Sequence, residues 1–61
     1  MTGREIRSLR RALNLTQDAF AKKLGVSQVT VARWEIEQTK PSPLAVARIE
    51  ELKKTSKELG V

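Results

Sequence analysis

The stretch Gln17-Asp18-Ala19-Phe20-Ala21-Lys22-Lys23-Leu24-Gly25-Val26-Ser27-Gln28-Val29-Thr30-Val31-Ala32-Arg33-Trp34 decides how this chain folds. Phe20, Ala21 and Leu24 recur at helical spacing and stop at Gly25. A helix of about two turns therefore starts from a cap at Thr16 and ends at a glycine free to take positive φ. Ser27 caps a second helix, over about residues 28–35, that turns Val31 and Trp34 inward at i, i+3 and leaves Gln28, Val29 and Arg33 on the other side. The result is a tight corner between two short helices. Ala21 is small where they cross, and Val26, Val31 and Trp34 plug the angle.

Outward from the corner the punctuation continues. Thr2 followed by Glu5 is a capping box, and Ile6, Leu9 and Leu13 at i, i+3 and i+7 predict helix 1 over about residues 3–13. Asn14 suits a left-handed exit from it. Beyond helix 3, Gln38-Thr39-Lys40-Pro41 forms a loop that leads to Ser42-Pro43, a cap with a first-turn proline. Leu44, Val46 or Ala47, Ile49 and Leu52 then mark helix 4. Thr55 to Val61 reads three ways: a short fifth helix before Gly60, an extension of helix 4, or a frayed tail. With no strand pattern and no repeat, the expectation is an all-α, compact four- to five-helix single domain spanning 1–61.

Composition narrows the chemistry. A domain of 61 residues hides only about 60% of its unfolded surface, so one core must gather every apolar side chain. There is no Cys and no His, which removes disulfides, thiolate metal sites, and the commonest metal ligand and general base. No cofactor or metal is expected. With a single Asp and no His or Cys, neither an acid–base pair nor an activated nucleophile is evident, and an enzyme is not the expectation. Charges interrupt every helix and nothing resembles a signal peptide, so a cytoplasmic location is the default. The net charge of +5 is unevenly spread: residues 1–33 hold Arg4, Arg7, Arg10, Arg11, Lys22, Lys23 and Arg33 against Glu5 and Asp18, whereas residues 34–61 hold five of each sign. A one-sided positive field suits a polyanion, though a solvated helical surface accounts for charge alone equally well.

Gln17, Ala21, Gly25, Val31 and Trp34, with Phe20, Leu24 and Val26 between them, resemble the helix-turn-helix of the lambda-repressor-like (XRE-type) family. That family includes phage repressors, Cro proteins, and many bacterial regulators and antitoxins. The similarity covers about residues 3–52. It implies a corner formed by helices 2 and 3, with helix 3 in the major groove of double-stranded DNA. There the first residues of the helix face base edges. Gln28 carries a donor and an acceptor on one planar amide, the pair that adenine N6 and N7 require. The resemblance has Gln17 orient Gln28 while touching a phosphate. Both glutamines also read, more blandly, as exposed helix residues. Val29 suits a thymine methyl, or else packs against helix 2. Arg33 reaches guanine or a phosphate, and Thr30 offers a hydroxyl to either.

Around the base readers, Thr16, Gln17 and Ser42 open helices whose free amides favour phosphate, with Ser27 as supporting cap. The resemblance brings Thr39 and Lys40 to the sugar-phosphate chain, and Arg7 and Arg11 add attraction from helix 1. Lys22 and Lys23 read as solvent-facing. Arg10 reads differently, because related repressors join an arginine late in helix 1 to the glutamate after helix 3's last core residue, and Arg10 with Glu35 matches that ion pair. Trp34 shares the inward face with Val31 and reads as core, not as a stacking platform.

The chain departs from the family at Glu37, where relatives usually have glycine. A left-handed helix end there strains Glu37, and a different exit is the alternative. The expected function is a DNA-binding transcriptional regulator, a repressor, acting as a homodimer on a near-palindromic operator through contacts in Leu52 to Leu59. The competing class is a protein-interaction module, such as an antitoxin or adaptor with a toxin or regulator as partner.

Overall fold

A computed structural model describes residues 1–59, with side chains through Lys54. It contains four helices: α1 Gly3–Ala12, α2 Gln17–Leu24, α3 Gln28–Glu35 and α4 Pro43–Leu59. Each starts where a short polar side chain can close the first turn. Thr2 Oγ1 accepts from the Glu5 amide at 3.2 Å while Glu5 Oε1 accepts from the Thr2 amide at 3.1 Å, completing the capping box. Thr16, Ser27 and Ser42 accept from Ala19, Thr30 and Ala45 in the same way.

The first three helices also end alike. Leu15 donates back to Arg10 (3.1 Å), Val26 to Ala21 (3.0 Å) and Gln38 to Arg33 (2.9 Å), the long bond that follows one left-handed residue. That residue is Asn14 at φ 59°, Gly25 at φ 75° and Glu37 at φ 62°. The sequence-based alternatives for helix 3 thus resolve to the left-handed exit at Glu37.

Ile6, Phe20, Ala21, Leu24, Val31, Trp34, Ala45 and Ile49 form one buried core, edged by Leu9, Leu13, Leu15, Val26 and Leu52. The corner residues therefore pack as their spacing predicts. Helix 4 requires a correction: Leu44 lies 64% exposed and Ala47 is exposed, while Ala45 is buried and Val46 half-buried. The face is fixed by Ile49, and at 100° per residue Ala45 lies about 40° from it and Leu44 about 140° away. Of the three readings of the tail, α4 runs on unbroken to Leu59; Gly60 and Val61 lie outside the described residues. Among the described residues no helix is long and apolar enough to cross a membrane.

One close approach joins α1 to the end of α3. A Cβ on Gly3 would collide with the Trp34 carbonyl oxygen and lie 2.7 Å from that of Glu35, so the start of α1 is pressed directly onto the last carbonyls of α3. The positive end of one helix dipole thus meets the negative end of another.

Candidate nucleic-acid interface

The corner presents α3 with one side in the core and one side bare. Val31 and Trp34 are buried, whereas Gln28 and Arg33 are exposed and Val29 is 52% exposed. Val29 is thus turned outward and is not buried against α2. Thr30 is drawn into the cap, its hydroxyl 2.8 Å from Ser27 Oγ.

Beneath this bare side lies a polar cluster. Glu35 is the one buried charged residue among those described, and its side chain is fully shielded from solvent. Arg10 meets it with two N–H groups, Nε to Oε2 at 2.7 Å and Nη2 to Oε1 at 3.2 Å, and uses Nη1 to hold the Leu15 carbonyl at 2.9 Å. Two parallel bonds of a guanidinium fork on a carboxylate are the strong geometry for this pair. Arg7 Nε adds a longer contact at 3.5 Å, and Gln17 Nε2 donates to Oε1 at 3.2 Å. Burial pushes the Glu35 carboxyl upward. The hydrogen bonds from Arg10 and Gln17, the Arg10 charge and the Arg7 bond outweigh it, and Glu35 titrates below the ordinary glutamate range. Among the described residues no buried side-chain nitrogen or oxygen lacks a partner.

Gln17 reaches both ways. Its Oε1 accepts from Gln28 Nε2 at 2.7 Å, so the two glutamines that open α2 and α3 are joined side chain to side chain. Gln28 keeps its Oε1 and one N–H for a further partner.

Thr30, Arg33, Thr39, Lys40 and Ser42 line an open groove between α3 and the start of α4, floored by Val26, Trp34 and Ala45. Hydroxyls and cations over an apolar floor are the surface that a phosphate chain can follow. Thr16 and Gln17 stand at the start of α2, next to Gln28. Arg11 is exposed, while Arg7 is partly committed to Glu35. Lys22 sits 3.3 Å from Asp18 on the solvent face of α2, and this local pairing offsets its charge.

Three contacts had no counterpart in the sequence reading. The carboxylate of Glu37 accepts from the Gly3 amide at 2.7 Å, so it is turned toward the start of α1. Arg48 Nη1 donates to the Leu24 carbonyl at 2.8 Å, tying α4 to the end of α2. Gln17 bonds Glu35. The glutamate in a glycine position was a signal for the first; no local pattern announces the other two, which depend on tertiary placement.

Two short helices at a glycine corner, with the first flanked by a buried ion pair and the second bare on its outer side, define a helix-turn-helix domain. The helix-turn-helix family model matches residues 6–56. The chain belongs to this XRE or lambda-repressor-like family of DNA-binding regulators. No curated protein and no solved structure matches it significantly.

Proposed function

We propose that the protein binds double-stranded DNA in a sequence-specific way, as a transcriptional repressor that occupies its operator, with α3 lying in the major groove. The observation that carries this reading is the joined pair Gln28 and Gln17 at the exposed start of α3, beside Val29 and Arg33. In this reading Gln28 grips adenine N6 and N7 with its free Oε1 and N–H, Val29 meets a thymine methyl and Arg33 reaches guanine. Thr16, Gln17, Ser27, Thr30, Thr39, Lys40, Arg7 and Arg11 hold phosphates or support those that do. The spare N–H of Gln17 and the groove at Lys40 support that assignment. Arg10 and Glu35 fix the corner and contact no base.

One copy of this domain offers few base contacts, each good pair contributing about 1–3 kcal/mol. A homodimer placing two α3 helices about 34 Å apart on a near-palindromic site supplies the rest. Its contact would lie along α4 from Leu52 to Leu59. Titration of a selected operator duplex tests this. Saturation at two chains per duplex, and binding at least 1,000-fold tighter than to scrambled DNA (about the lower end for specific proteins), support the reading. One chain per duplex, or no preference over scrambled DNA, contradicts it. Absence of preference would favour the protein-interaction module with a toxin-like or regulatory partner.

A further inference from the structure

We infer that Glu35 is a positioning residue for base recognition: through Gln17, its buried carboxylate fixes which way the amide of Gln28 faces. This rests on the reading of Gln28 as a base reader. Glu35 and Gln28 stand seven residues apart on α3, which is two turns, so they lie on the same stripe about 10.5 Å apart along the axis. Gln17 on α2 bridges that gap, donating to Glu35 Oε1 at 3.2 Å and accepting from Gln28 at 2.7 Å.

The direction of the relay follows from what each group can do. An ionised carboxylate only accepts, so the Gln17 atom facing Glu35 must be Nε2. Its Oε1 then faces Gln28, and the Gln28 atom opposite must also be Nε2. A free glutamine amide turns over at almost no cost. Here, turning Gln28 over sets two acceptor oxygens against each other, and turning Gln17 over as well sets its oxygen against the Glu35 carboxylate. Arg10, itself held on the Leu15 carbonyl, keeps Glu35 in place.

One Gln28 edge is thereby left for DNA, with Oε1 on one side and an N–H on the other, in a fixed order. In the major groove an A·T pair presents N7, N6–H₂ and O4 in the opposite order from T·A. A fixed amide therefore prefers one orientation of the pair, whereas a freely turning one accommodates both. The Gln28–Gln17 bond is open to water in the free protein; once bound DNA covers it, leaving one of its polar atoms without a partner is on the order of a tenfold effect on an equilibrium. The relay should thus contribute about tenfold to the preference for A·T over T·A at the pair that Gln28 reads.

The test starts from the duplex that the wild-type chain selects from random DNA, and from versions with each base pair inverted in turn. The pair whose inversion penalty disappears in Gln28→Ala is the one Gln28 reads. Gln17→Met breaks the relay and keeps the Arg10–Glu35 pair; Glu35→Gln replaces the pure acceptor with an amide that can face either way. Folding of each is checked by circular dichroism, and Gln17→Met stands alone if Glu35→Gln does not fold. The expected result is an inversion penalty reduced about tenfold at that pair and changed less than twofold at the others. A uniform loss over all duplexes, with the penalty at that pair intact, overturns the relay while leaving Gln28 as base reader. If Gln28→Ala abolishes no penalty, the base-reader assignment fails, and the relay with it.

Discussion

Glu37 sets two effects against each other, and the structure gives the terms. Its backbone sits at φ 62°, a left-handed conformation that costs a side-chain-bearing residue about 1 kcal/mol relative to glycine. Its carboxylate accepts from the Gly3 amide at 2.7 Å, at the start of α1, where a negative charge also meets the helix dipole. A hydrogen bond to a charged group contributes about 1.5–3 kcal/mol, and exposure of Glu37 places it at the low end. Glu37→Ala keeps the strain and loses the bond, so it should be about 1.5 kcal/mol less stable than wild type. Glu37→Gly loses the bond and sheds the strain, so it should lie only about 0.5 kcal/mol below wild type. Urea unfolding followed by Trp34 fluorescence reads both, and at a slope of about 1 kcal/mol per molar the midpoints fall by roughly 1.5 M and 0.5 M. Glu37→Gly more stable than wild type would show that the bond contributes less than the strain. Equal midpoints for Gly and Ala would show that no strain is present.

Other outcomes follow from the same contacts. Gly3→Ala should lower stability by about 1–3 kcal/mol in thermal or urea melts although alanine is the better helix former by about 1 kcal/mol, because the added Cβ meets two backbone carbonyls. A Gly3→Ala variant as stable as wild type would refute the close approach. Glu35→Ala should cost about 3–5 kcal/mol, since it leaves Arg10 shielded and unpaired; a loss below about 0.5 kcal/mol would remove the buried pair. Glu35 titrates below its ordinary value of 4.5, so its contribution is complete above that pH and is lost as pH falls through the lower folded value. Stability measured from pH 6 to pH 2 should therefore fall less steeply at the acid end in Glu35→Gln than in wild type, and equal slopes would contradict the linkage. Lys40→Ala should weaken binding to all DNA sequences alike and reduce the salt slope by about one ion; a sequence-dependent loss would contradict a phosphate role.

What the sequence made legible was local. Caps at Thr2, Thr16, Ser27 and Ser42, and the exits at Asn14 and Gly25, announce themselves through residue types that satisfy helix ends within three residues. The inward stripe of α1 to α3 follows from 3.6-residue spacing. Leu44 faces outward against expectation because Leu44-Ala45-Val46-Ala47 is apolar throughout and spacing alone does not choose a face; packing chooses Ala45, the small residue that fits against the core. The Arg10–Glu35 pair was expected from resemblance, and the structure adds the bidentate geometry. The links from Gln17 to Glu35, from Glu37 to Gly3 and from Arg48 to Leu24 join residues 18, 34 and 24 positions apart, and no periodicity encodes such separations.

The central claim is that the exposed start of α3 reads base sequence through Gln28. Selection of bound duplexes from random DNA, run in parallel with the wild-type chain and Gln28→Ala and followed by sequencing, tests it most directly. The account predicts a wild-type motif of two half-sites about one helical turn apart, and the loss of preference at one pair per half-site in the variant. No enriched motif, or the same motif from both proteins, would contradict it.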